Sequence, residues 1–339
     1  MSSVPAPPTA APAGGVPAVP PTVQIFQMFF GVLVTQIVLT MTEHDIPERL
    51  AGGPRTSGEL AAATGLHEAS LYRVLRTATG LGLVTQDGDG RFGLGPLGEA
   101  ARQYDHLSWA FPVLTQLSGV LRTGKSGFDL AYGKESFDWL EEHPEEGANF
   151  DHIIRLVHGG EDVAIAEAYD FDEVRTVVDV GGGNGTVLAA LLARHPQMEG
   201  VVFDLPSVIG RGTPALEEHP GRWEAVAGNF FDGVPAGGDA YLLSHVIHDW
   251  SEERALTILR NCRVAMGPDG RLLIAEMIVP PGDEMHPAKM LDVLMLVTNG
   301  PGMERTETQY AELLDRAGFR LERVVPTASA VSIVEGRPA

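Results

Sequence analysis

Cysteine is nearly missing from this chain. Cys262 is the one thiol in 339 residues, which excludes an intrachain disulfide framework. It lies in the apolar-periodic run Ile258-Leu259-Arg260-Asn261-Cys262 and reads as a core residue, because nothing in the run supplies a cation to activate it. Positive charge is also scarce. Lys and Arg number 24 against 45 Asp and Glu, a formal net charge of −21. Such a surface repels phosphate backbones, and no run of Lys or Arg offers a local exception, so no nucleic-acid partner is expected. No basic residue precedes Arg49, so the positive region that opens a secretory signal is missing. The apolar run from Phe29 to Met41 is interrupted by Thr35 and Gln36 and falls short of the roughly 20 residues that span a bilayer. It reads as a buried or interface helix, with no membrane partner and a cytoplasmic location expected.

Hydrophobic residues make up 44% and charged residues 20%, the balance of a soluble globular protein. The length implies two or three domains. Residues 1–22 are almost wholly Pro, Ala, Gly, Ser, Thr and Val and read as a disordered tail. Residues 23–50 read as one long helix. Its apolar positions, among them Ile25, Phe26, Met28, Phe29, Val32, Leu33 and Ile37, run nearly all round it, so a second copy of the chain is expected to cover part of it.

Residues 56–101 have the order of a winged helix. Thr56-Ser57 caps a helix with Glu59 behind it, Gly65-Leu66 turns into a second helix from Glu68 to Arg76, and Leu83–Thr85 and Arg91–Leu94 flank the turn Asp87-Gly88-Asp89-Gly90. The segment carries three basic residues (Arg73, Arg76, Arg91) against five acidic ones, which favours a structural module over a DNA reader. Residues 102–170 read as mostly helical. From about residue 171 strands alternate with helices: Val177–Val180, a helix Thr186–Arg194, then Val201–Asp204, Ala240–Ser244 and Arg271–Glu276. This alternation implies a parallel sheet covered on both faces.

Four motifs follow successive strands. In Asp179-Val-Gly-Gly-Gly-Asn-Gly185 the glycines allow a sharp turn and close approach of a ligand. Asp204, ending the next strand, is placed to accept from the two hydroxyls of a ribose. The glycines do not fit a dinucleotide turn. Counted from Gly181 the third glycine position is Thr186, and counted from Gly183 it is Leu188. Ser244-His-Val-Ile-His248-Asp249-Trp250 brings a histidine, suited to general-base work near neutrality, to the edge of the sheet where ligands bind. Glu276 ends the following strand, and Asn299-Gly-Pro-Gly-Met-Glu304-Arg305-Thr306 completes the set. Two carboxylates on one histidine can orient its ring. Glu304–Glu307 also reads as a plain helix cap.

The Asp-x-Gly-x-Gly-x-Gly form resembles the class I methyltransferases, whose loop wraps the methionine part of S-adenosylmethionine. Over residues 23–337 the chain resembles the plant caffeate-type O-methyltransferases and their bacterial relatives that methylate aromatic natural products. The resemblance rests on VVDVGGGNGT (177–186), VVFDLP (201–206), HDWSEERALTILRNCRVAM (248–266), GRLLIAEMIVP (270–280) and GPGMERTETQYAELLDRAGF (300–319). It implies an α/β, Rossmann-like methyltransferase domain preceded by a mostly helical dimerisation and winged-helix-like domain, and a homodimer. The implied bounds are a tail at 1–22, a dimerisation domain at 23–118, a linker at 119–170 that contributes to the acceptor pocket, and a cofactor domain at 171–339.

The resemblance also implies roles. Gly181, Gly183 and Asp204 would hold the methionine and ribose parts of S-adenosylmethionine, with S-adenosylhomocysteine as product and no metal. Asn229 and Phe230 would flank the adenine, where the family usually has an acidic residue in place of Asn229. Ser244 would stand near the methionine end. His248 would be the catalytic base, flanked by Glu276 and Glu304, with Asp249, Met295 and Asn299 lining the acceptor pocket. The implied reaction is methylation of a phenolic hydroxyl on a small aromatic acceptor. Alternatives are an N-methyltransferase, a relative of altered chemistry, a dehydrogenase, or a ligand-sensing winged-helix regulator.

Overall fold

A computed structural model describes residues 19–104, 109–158 and 160–339; of the expected disordered tail, residues 1–18 lie outside them. The chain divides into two compact units, Met1–His106 and Leu107–Ala339.

In the first unit the expected helix 23–50 is two helices, Pro21–Glu43 and Ile46–Ala51. The break is at Asp45, which takes the left-handed conformation (φ 54°). Pro47 follows; it lacks an N–H and cannot continue the earlier helix, but it suits the first turn of a new one. The first helix also exceeds the expectation for the 29–41 run. At 23 residues it is long and apolar enough, by length and composition, to cross a membrane. Met41, Ile46 and Leu50 turn into a core with Leu60, Leu71, Leu75, Val84 and Phe92, whereas Phe26, Met28 and Phe29 are 61–70% exposed. Thr56 and Glu59 form a reciprocal capping box at the helix Ser57–Thr64. A second helix, Glu68–Gly80, leads to an antiparallel pair, β1 (Val84–Gln86) and β2 (Phe92–Leu94). The Asp87 side chain accepts from the N–H groups of Asp89 and Arg91 and closes the turn between them.

The second unit begins with short helices and then builds a seven-stranded sheet from β3 (Thr176–Val180), β4 (Glu199–Asp204), β5 (Trp223–Ala227), β6 (Ala240–Ser244), β7 (Arg271–Glu276), β8 (Phe319–Pro326) and β9 (Ser332–Pro338). The order is β5-β4-β3-β6-β7-β9-β8, parallel except for β9, which runs antiparallel to both neighbours. Alternate strand residues face opposite layers. Val178, Val180, Tyr241 and Leu243 pack with the helices Glu252–Ala265 and Glu307–Arg316. Val177, Val202, Leu242 and Leu273 pack with Glu161–Ala168 and Thr186–Arg194. The chain reverses its direction of sheet growth between β3 and β6. That crevice at the carboxyl ends of the strands is where open α/β sheets bind ligands. Cys262 is buried in the first layer, and burial pushes its thiol up to about 12.

Candidate active site

The glycine loop leaves β3 at the crevice. Gly181, Gly183 and Gly185 all have positive φ (72°, 57° and 77°), a region that favours glycine. A Cβ on Gly181 would lie 2.9 Å from Cγ2 of Val246, so the loop and the turn after β6 touch. Asp204, at the end of β4, accepts the Gly183 N–H at 2.9 Å through Oδ2 and the Leu205 N–H at 2.7 Å through Oδ1. A carboxylate has about four lone-pair sites, so this bracing of the loop is compatible with accepting from a ribose as well. Asp179 is 1% exposed, and among the described residues its Oδ2 has no hydrogen-bond partner. Burial, reinforced by the charges of Asp204 and Asp162, pushes its carboxyl up to about 7. This concentration of negative charge suits a cationic ligand.

The turn after β6 holds the histidine. Glu276, fully buried at the end of β7, accepts the N–H groups of Val246 (3.2 Å), Ile247 (2.6 Å) and His248 (3.2 Å) on Oε1. Its Oε2 accepts the hydroxyl of Tyr310. The carbonyl side of the same turn is held by Arg305, 2% exposed, which donates to Ile247 O at 3.1 Å and Trp250 O at 3.3 Å. Met303 N–H donates to His248 O at 2.8 Å. Gly302 is required beneath the turn, because a Cβ there would sit 2.6 Å from His248 O.

His248 is buried, and its Nδ1 lies 2.6 Å from Oε1 of Glu304. Its Nε2 is 3.7 Å from Oδ1 of Asp249, too far for a hydrogen bond. Burial alone would push the imidazole down, but the Asp249 charge, the Glu304 hydrogen bond and the charges of Glu276 and Glu304 outweigh it and raise it to about 10. Burial raises Asp249 to about 6, opposed by His248. Asn299 donates to Asp249 Oδ1 at 2.6 Å and accepts the Ser136 hydroxyl at 2.9 Å; its Nδ2 also lies 3.8 Å from the sulfur of Met295.

Donor atoms of His248, Glu276 and Glu304 come within 4.8 Å of one another. They do not fit a metal centre, because Glu276 already accepts four hydrogen bonds and His248 Nδ1 is committed to Glu304. A cation there would have to displace several of them.

Residues 114–320 match the model of an O-methyltransferase domain, and residues 26–102 that of an O-methyltransferase dimerisation domain. The chain belongs to the S-adenosylmethionine-dependent O-methyltransferases. It is 38% identical to the phenazine O-methyltransferase PhzM of Lysobacter antibioticus over 95% of this chain and 97% of that one. The crystal structure of LaPhzM matches with a TM-score of 0.88 at 37% identity, covering 95% of this chain and all of that one (100%). The O-methyltransferase NcsB1 of neocarzinostatin biosynthesis, solved with S-adenosylmethionine and 2-hydroxy-5-methyl naphthoic acid, matches with a TM-score of 0.77 at 34% identity, covering 90% and 95%. A Streptomyces davaonensis 8-amino-8-demethylriboflavin N,N-dimethyltransferase is 32% identical over 93% of this chain and 94% of that one.

The methyltransferase fold thus brings together His248, Glu304, Asp249, Asn299 and Met295 on one side, and Gly181, Gly183 and Asp204 on the other. Ser244 ends β6 beside them. Glu276 is drawn in differently from the expectation that it would orient the imidazole: it holds the backbone of the turn instead. Asn229 is exposed, and its Oδ1 accepts the Phe231 N–H at 2.9 Å. Phe230 stands edge-on to Trp250, with ring centroids 5.8 Å apart. Residues 304–309 make two kinds of contact. Thr306 and Gln309 form a capping box on the helix Glu307–Arg316, while Glu304 reaches His248. Sequence reasoning missed Tyr310, Arg305 as a turn anchor, Ser136, and the pair His245–Glu161 at 2.7 Å. His245 and Arg305 sit in the quoted motifs and Tyr310 in a quoted block, but neither spacing nor residue type said what they hold; Ser136 and Glu161 carried no signal.

Proposed function

We propose that this methyltransferase transfers the methyl group of S-adenosylmethionine to a phenolic hydroxyl of an aromatic secondary metabolite, with His248 as general base. The observation that carries this reading is the 2.6 Å contact between His248 Nδ1 and the buried carboxylate of Glu304. A nitrogen facing a carboxylate carries the proton, so in the neutral ring Nε2 holds the lone pair. A phenol, with a pKa near 10, arrives mostly protonated at pH 7. Nε2 takes its proton as the oxygen attacks, and Glu304 stabilises the imidazolium that forms.

The crevice residues fit the cofactor. S-adenosylmethionine carries an ammonium and a sulfonium, and the carboxylate of Asp204, with Asp179 buried behind the glycine loop, offers the counter-charge; a bound cation would favour the ionised form of Asp179, which burial holds at about 7. When bound, the sulfonium supplies an electrophilic methyl group. The protein's own work is to position the acceptor and hold a proton, and positioning alone is worth roughly 7–11 kcal/mol when two reactants are well oriented.

The acceptor side draws on residues 119–170. Phe128, Trp139 and Leu140 share a core with Val297, and Ser136 binds Asn299. We read the domain bounds accordingly: a dimerisation domain at 23–118, an acceptor-pocket linker at 119–170 and a cofactor domain at 171–339, with a homodimer formed through the exposed helix Pro21–Glu43. The chain works without a metal, without nucleic acid and off the membrane, in the cytoplasm. A panel of hydroxyphenazines, hydroxynaphthoates and aminophenols, with products read by mass spectrometry, tests the reading. Exclusive methylation of nitrogen, as in the riboflavin-type relative, would replace it, because a neutral amine brings its own lone pair.

A further inference from the structure

The helix Glu307–Arg316 and the residues before it reach the catalytic turn at three points: Glu304 on the imidazole, Arg305 on the turn carbonyls, and Tyr310 on Glu276. The first touches the proposed base directly. The third does not, yet it decides how the turn is held. Oε1 of Glu276 serves three N–H groups at 2.6–3.2 Å. A carboxylate held at one oxygen can pivot about its Cγ–Cδ bond; held at both, it cannot. Tyr310 supplies the second hold, and Glu276 and Tyr310 are both fully buried, so water does not replace it.

The plain alternative is that Tyr310 fills space. Its ring does pack in the core with Leu313 and Leu314. Packing accounts for the ring but not for the hydroxyl, since Phe fills the same space and a buried hydroxyl costs free energy unless it is bonded. The acceptor it has is the one carboxylate that carries the N–H side of the turn.

We propose that Tyr310 is a positioning residue for His248, acting through Glu276; this rests on the general-base reading above. The test is Tyr310→Phe beside Tyr241→Phe. Tyr241 is an equally buried tyrosine whose hydroxyl bonds Pro235 O and Ala265 O, away from the turn. Tyr310→Phe is expected to lose about tenfold in kcat, the cost of one hydrogen bond to a charged group, with KM for S-adenosylmethionine unchanged. Tyr241→Phe is expected to keep kcat. In a His248→Asn background, Tyr310→Phe should cost nothing further, because both changes disable the same group. The Nδ1 proton of His248, followed by 15N-edited NMR without cofactor, should shift or broaden in Tyr310→Phe and not in Tyr241→Phe. Full activity in His248→Asn would remove the base reading and the proposal with it. A slow His248→Asn beside a Tyr310→Phe enzyme with normal kcat and an unchanged Nδ1 resonance would overturn the proposal alone.

Discussion

Asn299 donates to Asp249 Oδ1 across 2.6 Å while its own oxygen takes the Ser136 hydroxyl at 2.9 Å. The two contacts fix which way the amide faces. They also tie the segment Ser136–Glu142 to the loop beside the histidine. Replacing Asn299 with Asp sets a second carboxylate against Asp249, whose carboxyl burial already raises to about 6. A carboxyl raised above its unfolded value favours the native state at low pH, and this contribution is lost as pH rises through about 6. Asn299→Asp strengthens that trend. The variant should therefore melt well below the parent at pH 8 and recover at pH 5, where the two carboxyls share a proton. Equal losses of Tm at both pH values would show that the two side chains do not interact.

Asp204 braces the glycine loop as well as facing the crevice. Asp204→Asn keeps an acceptor and removes the charge; Asp204→Ala removes both. Calorimetric titration with S-adenosylmethionine should show the Ala variant weaker by about 1.5–3 kcal/mol, the range for hydrogen bonds to a charged group. The Asn variant should fall between it and the parent. Parental affinity in a folded Ala variant would take Asp204 out of the cofactor site.

The apolar side chains on the helix Pro21–Glu43, chief among them Met28 (70%) and Phe29 (68%), are exposed, and contiguous apolar exposure of this kind marks an interaction surface. Sedimentation equilibrium should give twice the 36.2 kDa chain mass at micromolar concentration. Phe29→Asp with Met28→Asp should shift the equilibrium toward single chains. A 36.2 kDa species for the parent across that range would refute the homodimer.

In the second unit β3, β4, β6 and β7 were legible in the sequence because they are near-continuous apolar runs ending in turns with glycine or polar motifs, whereas β5, β8 and β9 carry charged residues within them and were not read. Thr186–Arg194 and Arg271–Glu276 fall where periodicity put them. The break at Asp45 was not, since a left-handed aspartate leaves no periodic trace; Pro47 was the available clue. In the site, residues in direct line with strand ends, such as His248 and Asp204, were readable. Tyr310 was not, because a tyrosine inside an amphipathic helix reads as core, and only the three-dimensional placement of Glu276 reveals what its hydroxyl is for. The role of Glu276 itself was half visible. Its position at the end of β7 pointed to the histidine, but whether a carboxylate serves a ring or a backbone depends on distances no spacing encodes.

His248 supplies the last prediction. Burial depresses its imidazole, and Asp249, Glu304 and Glu276 together overcome that and raise it to about 10. Without cofactor the ring is then an imidazolium at pH 7–9, with Nε2 protonated and unable to act as a base. A group raised above its unfolded value adds native stability in full below about 6.5, and that stability is lost as pH rises through about 10. The parent should accordingly lose stability relative to His248→Asn over that window. Cofactor binding works against that imidazolium. In-line methyl transfer requires the sulfonium on the far side of the acceptor oxygen from Nε2, and a positive charge there disfavours a second one on the ring. The sulfonium therefore lowers the imidazole from its raised value toward the neutral form the base role needs. His248 should give up part of a proton at pH 9 when S-adenosylmethionine binds, and less when the uncharged thioether of S-adenosylhomocysteine binds. Calorimetry at pH 9 in two buffers of different ionisation enthalpy counts those protons directly. Equal counts for both ligands, or an unchanged count in His248→Asn, would mean that the imidazole does not sense the sulfonium and that its proton leaves by another route.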